Sequence, residues 1–387
     1  MGRSHFTENA TGQLVRIESP IQDYAFIPHE LPPKWAFPAA LYPLLVQAKE
    51  ALGTLNGIGQ TLPVPQLLLR PLQSREAITS SNIEGTFVTP EQLLLFEIDP
   101  REPRSADDKQ ADWLEVSNYG QALRQGFEML NSGTPIGNHL ITGMHGLLME
   151  GVRGEGKSPG RYREQQVQIG SRGRFIPPPP GEVGRLMTNL NDYGGSDDGT
   201  LDPLVKACIV HCQFEAIHPF ADGNGRVGRA LLSLTICKWH NHAQPWLYLS
   251  PYFEEFNDEY VERMYRVSAN GEWSEWIEFC LRGVIAQSHD AIQRCRKFRC
   301  LRDEFHGRIQ APTARSHRLV ENLFVNPVVT ITGIARQFGT TYHTARSDVA
   351  ALVEAGILKA LATRRPKAYY APEIMRIAYG PSSELKE

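Results

Sequence analysis

The sequence predicts a mainly α-helical protein carrying one small β-hairpin, followed by a small separate C-terminal unit. Three observations predict it. Apolar residues recur at helical spacing through most of the stretch from Leu41 to Arg302. One segment, Pro159–Pro180, breaks that rhythm: Tyr162, Val167, Ile169, Phe175 and Ile176 sit among glycines and charges. The helical pattern restarts from Arg315, after a linker near Gln310-Ala311-Pro312. The length of 387 residues suits two or three domains at ~100–200 residues each.

In chain order, the proline-rich first forty residues read as an extended arm. Leu41–Leu52 has helical periodicity. Pro63, Pro65 and Pro71 argue against a long helix over Thr61–Ser74. Arg75–Gly85 reads as a short helix, closed by Gly85 as a left-handed cap. Thr89-Pro90-Glu91 opens another helix, with proline at a tolerated first-turn position. Ala111–Leu130 and Gly137–Glu150 follow as helices. Pro159–Pro180 reads as an exposed hairpin turning at Gly170-Ser171-Arg172-Gly173. Leu204–Ile217, Arg226–Asn241, Asn257–Val267 and Ser274–Arg302 are helical, and the basic Arg294–Arg302 reads as a solvated face. The expected division is 1–110 (arm and first helices), 111–290 (core), 291–312 (linker helix) and 313–387 (C-terminal unit).

Composition narrows the function classes. A hydrophobic share of 41% and a charged share of 21% exclude a mostly disordered or collagen-like chain. No apolar run reaches the ~18 residues that span a bilayer. Residues Met1–Asn9 are polar and lack the core of a secretion signal. A cytoplasmic location with no membrane partner is therefore expected. A net charge of −3 excludes a general nucleic-acid coat but leaves room for a local basic patch. Cys208, Cys212, Cys237, Cys280, Cys295 and Cys300 contain no C-x-x-C pair, so a reduced state is expected. Cys208, His211 and Cys212 share a helix face, but a second ligand pair for zinc is missing. They read as buried thiols.

The most informative segment is His218-Pro219-Phe220-Ala221-Asp222-Gly223-Asn224-Gly225-Arg226-Val227-Gly228-Arg229. It joins two apolar helices. Gly223 and Gly225 let successive N–H groups converge into a nest, and the following helix adds its free amides and positive dipole end. The result is an anion site suited to phosphates. Arg226 and Arg229 share one face of the first turn and can donate to further phosphate oxygens. Asp222 is a hard oxygen ligand of the kind a magnesium ion bridging phosphates requires. His218 titrates near neutrality and can take a proton from an incoming hydroxyl. A second glycine-rich run, Gly151–Ser158, fits the P-loop spacing. It follows a helical pattern and precedes Pro159-Gly160, so it reads as a loop.

His218–Arg229 resembles the signature of the Fic family, H-[PS]-F-x-[DE]-G-N-G-R-x-x-R, at every specified position. Ser80-Ser81-Asn82-Ile83-Glu84-Gly85 is similar to that family's inhibitory motif, [ST]-x-x-x-E-[GN]. Gly160-Arg161-Tyr162-Arg163 through Pro178 resembles its substrate-aligning flap, and Leu249 through Tyr260 the part bordering adenine. The resemblance implies a Fic-type helical bundle with a β-hairpin flap. It also implies transfer of AMP from ATP, with Mg2+, to a Ser, Thr or Tyr hydroxyl of a target protein or of the chain itself. His218 would be the base and Asp222 the magnesium ligand. Gly223, Asn224 and Gly225 would form the anion hole, Arg226 and Arg229 would hold the outer phosphates, and Tyr252, Asn257 and Tyr260 would border the nucleotide. Ser80, Glu84 and Gly85 would form the inhibitory element, with Glu84 on Arg229. The same loop is compatible with removal of AMP, with another phosphate donor, or with a nucleotide-sensing transcriptional regulator. Homodimerisation stays open.

In the C-terminal unit, Thr330–Leu358 reads helix, turn, helix. Ile334, Ala335 and Phe338 pack on one side, Gly339 turns, and Ala345, Val349 and Leu352 pack on the other. Lys359–Tyr370 reads as a hairpin with Arg364-Arg365-Pro366-Lys367 at its tip. The pattern resembles a winged helix-turn-helix with Tyr342, His343, Arg346 and Ser347 facing outward. That implies DNA binding, with a protein-interaction module as the alternative.

Overall fold

The computed structural model describes residues 3–18, 22–62, 65–103, 108–152, 158–170, 174–196, 199–309, 313–361 and 367–381. The N-terminal segment is a hairpin and not an extended arm. Strands β1 (Gly12–Ile17) and β2 (Asp23–Pro28) pair antiparallel, with Gly12 opposite Pro28. Burial of Ala25, Phe26 and Ile27 anchors it. The Phe26 amide donates to the Ile176 carbonyl at 2.8 Å, and its ring meets Phe175.

Helix α1 (Tyr42–Gln60) is followed by α2 (Gln66–Ile83), which is longer than its prolines suggested. Pro71 lies inside α2 and removes one ladder hydrogen bond. Burial of Leu68, Leu69, Leu72, Ala77 and Ile78 outweighs that loss. A capping box at Thr89 opens α3 (Pro90–Ile98). Then come α4 (Lys109–Asn131), α5 (Asn138–Leu148) and α6 (Pro180–Gly195). Between α5 and α6 the flap is held by one bridge, Ile169 to Phe175, rather than a strand ladder. The expected turn at 171–173 and most of the P-loop-like run, 153–157, lie outside the described residues.

Helices α7 (Pro203–Ile217) and α8 (Asn224–Trp239) form the centre, buried along almost their whole length. Around them pack α9 (Ser250–Glu255), α10 (Asn257–Asn270) and the long α11 (Trp273–Arg308). Arg294 on α11 is fully buried, contrary to the solvated face expected there. It forks onto Asp290, which also binds Arg75 of α2 at 2.6 Å, and onto the carbonyls of Ile377, Ala378 and Gly380. Five charge-assisted bonds from one guanidinium explain why the sequence pattern misleads here.

The remaining elements are α12 (Ala314–Val325), β3 (Val328–Thr330), α13 (Ile331–Gln337), α14 (Tyr342–Glu354), β4 (Lys359–Ala360), β5 (Ala368–Tyr370) and α15 (Pro372–Tyr379). The three strands pair antiparallel in the order β3-β5-β4. Ile334, Ala345, Val349 and Leu352 are buried. The basic tip at Arg364-Arg365-Pro366 and the linker at 310–312 lie outside the described residues. Among the described residues no helix is long and apolar enough to cross a membrane.

Candidate functional site

The site is built where α7 stops and α8 starts. His218 terminates α7 in the left-handed region, φ 51° and ψ 62°. A non-glycine residue there is strained, so the surroundings must hold it. Arg163 of the flap does so: its Nε donates to the His218 carbonyl at 2.8 Å, its Nη2 to Pro178 at 2.6 Å, and its backbone amide to Pro219 at 2.9 Å. Asn224 then braces the loop internally. Its Oδ1 accepts from the Phe220 amide at 2.8 Å and its Nδ2 donates to the Phe220 carbonyl at 2.9 Å. The Asn224 side chain is thus spent on the loop, while its backbone amide, at the first position of α8, has no partner within the helix.

His145 locks the far side. Its ring stacks on Phe220 at 3.7 Å. Its Nδ1 accepts from the Gly160 amide at 2.8 Å, which leaves the proton on Nε2, 3.0 Å from the Asp222 carbonyl. Gly223 sits at φ +76°, and a Cβ there would press on Leu148 and Met149 at 3.1 and 3.2 Å. The first amides of α8 have no partner within the helix, and its positive end faces a cavity.

A cavity of about 240 Å³ opens beside this helix start. His218, Gly225, Arg229, Asn257 and Tyr260 line it together with Glu84, Glu215, Ile169, Arg174 and Phe175. Tyr252 is not among the lining residues: it packs with Phe256 and Phe279 against Gly283. The Tyr260 hydroxyl is 2.9 Å from His211 Nε2, and His211 Nδ1 is 3.1 Å from the Gly228 carbonyl. His211, read with Cys208 and Cys212 as a shared face, is committed to these two partners.

Glu84 lies over the nest. Its Oε1 accepts from Arg229 Nη2 at 2.7 Å, and it would stand 2.1 Å from a Cβ on Gly225. Only glycine leaves room for a carboxylate at that point. Ser80 completes the grip on Arg229, taking Nε on its Oγ at 2.8 Å and Nη2 on its carbonyl at 2.9 Å. Gly85, at φ +88°, turns the chain away. Arg226 is 4% exposed, pairs with Glu115 of α4 and does not line the cavity. Asp222 is half-exposed, accepts from the Gly223 amide at 2.7 Å, and lies 3.7 Å from Arg226.

Burial and charge set the protonation states. Burial lowers the His218 imidazole to about 4, with Arg163 adding to the fall while Glu84 and the Glu215 carbonyl oppose it. The ring is neutral and basic at pH 7. Burial would raise the Glu84 carboxyl, but Arg229 reverses this and holds it below its ordinary value. Burial lifts the Glu215 carboxyl to about 8, against the pull of Arg229. The sequence reading placed Arg163 in the flap without a role of its own, and His145, Glu115 and Glu215 went unread. Each is remote from the signature or lacks a motif of its own.

Comparison with known proteins agrees with this geometry. Residues 42–128 match the Fic/DOC family N-terminal model and residues 135–236 the Fic/DOC family model. A probable protein adenylyltransferase of Aquifex aeolicus is 43% identical over 75 residues, 19% of this chain and 23% of that protein. The protein adenylyltransferase of Caenorhabditis elegans is 38% identical over 80 residues, 20% of this chain and 15% of that protein. The matched stretch therefore spans less than a quarter of either relative. A Fic family protein from Desulfovibrio desulfuricans shares the fold at 22% identity with a TM-score of 0.56, over 87% of this chain and 97% of that one. A Fic domain containing signaling protein from Bacteroides thetaiotaomicron does so at 20% identity and 0.51, over 65% and 97%. Adjoining stretches of this chain, residues 42–128 and 135–236, are thus similar to the Fic/DOC family models, and the chain shares its fold with a solved Fic family protein along most of its length.

Proposed function

We propose that this protein is an adenylyltransferase that moves AMP from ATP to a hydroxyl side chain of a target protein, in a cytoplasmic setting. The observation that carries the reading is the neutral His218 opening on the same cavity as Gly225 in the first turn of α8, whose amides have no partner within the helix. In the proposed reaction the target hydroxyl loses its proton to His218 and attacks the α-phosphorus. The bond to the β-phosphate breaks and pyrophosphate leaves. The nest at Gly223–Gly225 and Arg229 stabilise the phosphate charge as it develops.

The residues present fit magnesium arriving with its nucleotide. Asp222 offers one half-exposed carboxylate at the nest, and no cluster of three or more metal-binding side chains occurs among the described residues. Asp222 would hold the ion, which would neutralise phosphate charge there.

We read Glu84 as an inhibitor. Its carboxylate occupies an anion position above Gly225 and satisfies Arg229, so a nucleotide must compete for both. Incubating the Glu84→Gly variant with labelled ATP and a cell lysate tests the whole reading. Labelled target, or labelled enzyme, is expected, with an AMP adduct by mass spectrometry. Absence of any adduct overturns it, and a different phosphate-linked adduct reassigns the donor.

A second reading concerns residues 313–381. Tyr342, His343, Arg346 and Ser347 on α14 are all exposed, and the order of helices and strands is that of a winged helix. We propose that this unit binds DNA through α14, which a mobility shift against random duplex tests.

A further inference from the structure

Glu84-Gly85-Thr86 makes one turn; Glu84 reaches one signature arginine, and Thr86 reaches the carboxylate that holds the other. Glu84 binds Arg229 directly. The Thr86 hydroxyl donates to Glu115 Oε1 at 3.0 Å, and the same oxygen accepts from Arg226 Nη1. Thr86, Glu115 and Arg226 are all buried. The Arg226 Nε is buried with no hydrogen-bond partner among the described residues, while Nη2 stands 3.7 Å from Asp222. A buried guanidinium held at one corner and unsatisfied at another is set to receive an anion.

We propose that Glu115 is the positioning residue for Arg226, and that Thr86 joins it to the inhibitory turn, so that one turn latches both phosphate-binding arginines. The proposal deepens the inhibitory reading of residues 80–85 and rests on it. When the turn departs, Glu84 uncovers Arg229 and Thr86 releases its share of Glu115. Glu115 then serves Arg226 alone, keeping the buried cation neutralised and aimed at the nest. The two contacts are coupled because Glu84 and Thr86 flank a single residue of one turn, whose amides bond to Ser81 and Asn82.

Two variants of the full chain test this. Thr86→Val keeps shape and removes the hydroxyl. Glu115→Gln keeps an acceptor and removes the charge. In the wild-type background, hydrogen exchange at the amides of Glu84, Gly85 and Thr86, which donate to Ser81 and Asn82, is expected to quicken roughly two- to tenfold in both. In the Glu84→Gly background, Glu115→Gln is expected to raise the KM for ATP about tenfold while kcat stays within about twofold. Thr86→Val is expected to raise transfer in the wild type and to add nothing to Glu84→Gly. Lowered melting temperature with unchanged exchange and unchanged KM would mean a merely structural ion pair and overturn the proposal. If the Glu84→Gly parent binds no ATP by calorimetry, the nucleotide reading falls, while the exchange comparison still decides the latch.

Discussion

The loop from His218 to Arg229 and the exposed face of α14 are both rich in polar and cationic side chains, yet they are organised in opposite ways. In the loop, polar side chains are held from distant parts of the chain: Arg229 by Ser80 and Glu84, Arg226 by Glu115, the His218 backbone by Arg163. On α14, Tyr342 is 54% exposed, and His343 and Arg346 are exposed beside it. The loop's donors are fixed in place, and fixed donors need no reorganisation when charge develops near them. The α14 face is a surface, and a surface recognises by contact with another macromolecule. Substitutions in the two places should therefore differ in size and in the property they change.

The largest contrast is expected from His218→Ala. General-base catalysis contributes about 10²- to 10⁴-fold, so transfer should fall by that factor while ATP still binds. Calorimetric titration beside a single-turnover assay checks both halves. Transfer at the parental rate would remove His218 from the chemistry.

Next in size is Glu84→Gly. The carboxylate makes a charge-assisted bond to a buried guanidinium, worth about 1.5–3 kcal/mol, so its loss should raise AMP incorporation about 10- to 100-fold. Equal incorporation by wild type and variant, at equal folding, would show that Glu84 is a bystander on Arg229.

The same comparison shows what a sequence can disclose. The loop was legible because its chemistry is contiguous: imidazole, carboxylate, two glycines and two guanidiniums lie within twelve residues. Its supports were not legible. Glu115 meets Arg226 across 111 positions, His145 meets Asp222 across 77, and Arg163 meets His218 across 55. Each is an ordinary residue until the fold closes. The N-terminal hairpin was hidden for a related reason: Phe26 packs on Phe175, far along the chain. Pro71 misled in the other direction, because propensity is local and the burial that overrides it is not. Tyr252 stood in the right segment and faces a neighbouring aromatic cluster instead of the cavity.

A third, smaller effect is a pH limb. His218 titrates at about 4 in the folded protein against about 6.5 when exposed, facing Glu84, Arg163 and Asp222. Its basic form therefore persists below pH 6.5, and kcat/KM should stay level from pH 8 to about 5 before falling. Stability falls in the same direction but at higher pH. Between pH 6.5 and 4 the unfolded chain binds a proton here that the folded chain does not, so stability declines across that window as pH drops. Urea titrations at pH 7 and pH 5 alongside the rate profile separate the two. An acid limb in kcat/KM centred at 6.5 would place the base in water, outside the cavity.

The smallest effect on transfer is expected at Arg346→Ala. Arg346 is exposed on α14, so removing it should change AMP incorporation by less than about twofold. If α14 enters a major groove, the same substitution should weaken duplex binding severalfold and flatten its salt dependence by about one phosphate contact. The pair of measurements sharpens the contrast between the regions, since an open surface can lose one partner without disturbing a preorganised site. A drop in transfer as large as the drop in DNA binding would break it. The route for such coupling is already visible: α2 carries Ser80 at one end and Arg75 earlier, and Arg75 meets Asp290, whose other partner Arg294 binds the carbonyls of Ile377 and Ala378 in α15. Coupled losses would mean that this chain of contacts transmits the state of the C-terminal residues to the turn that covers Arg229.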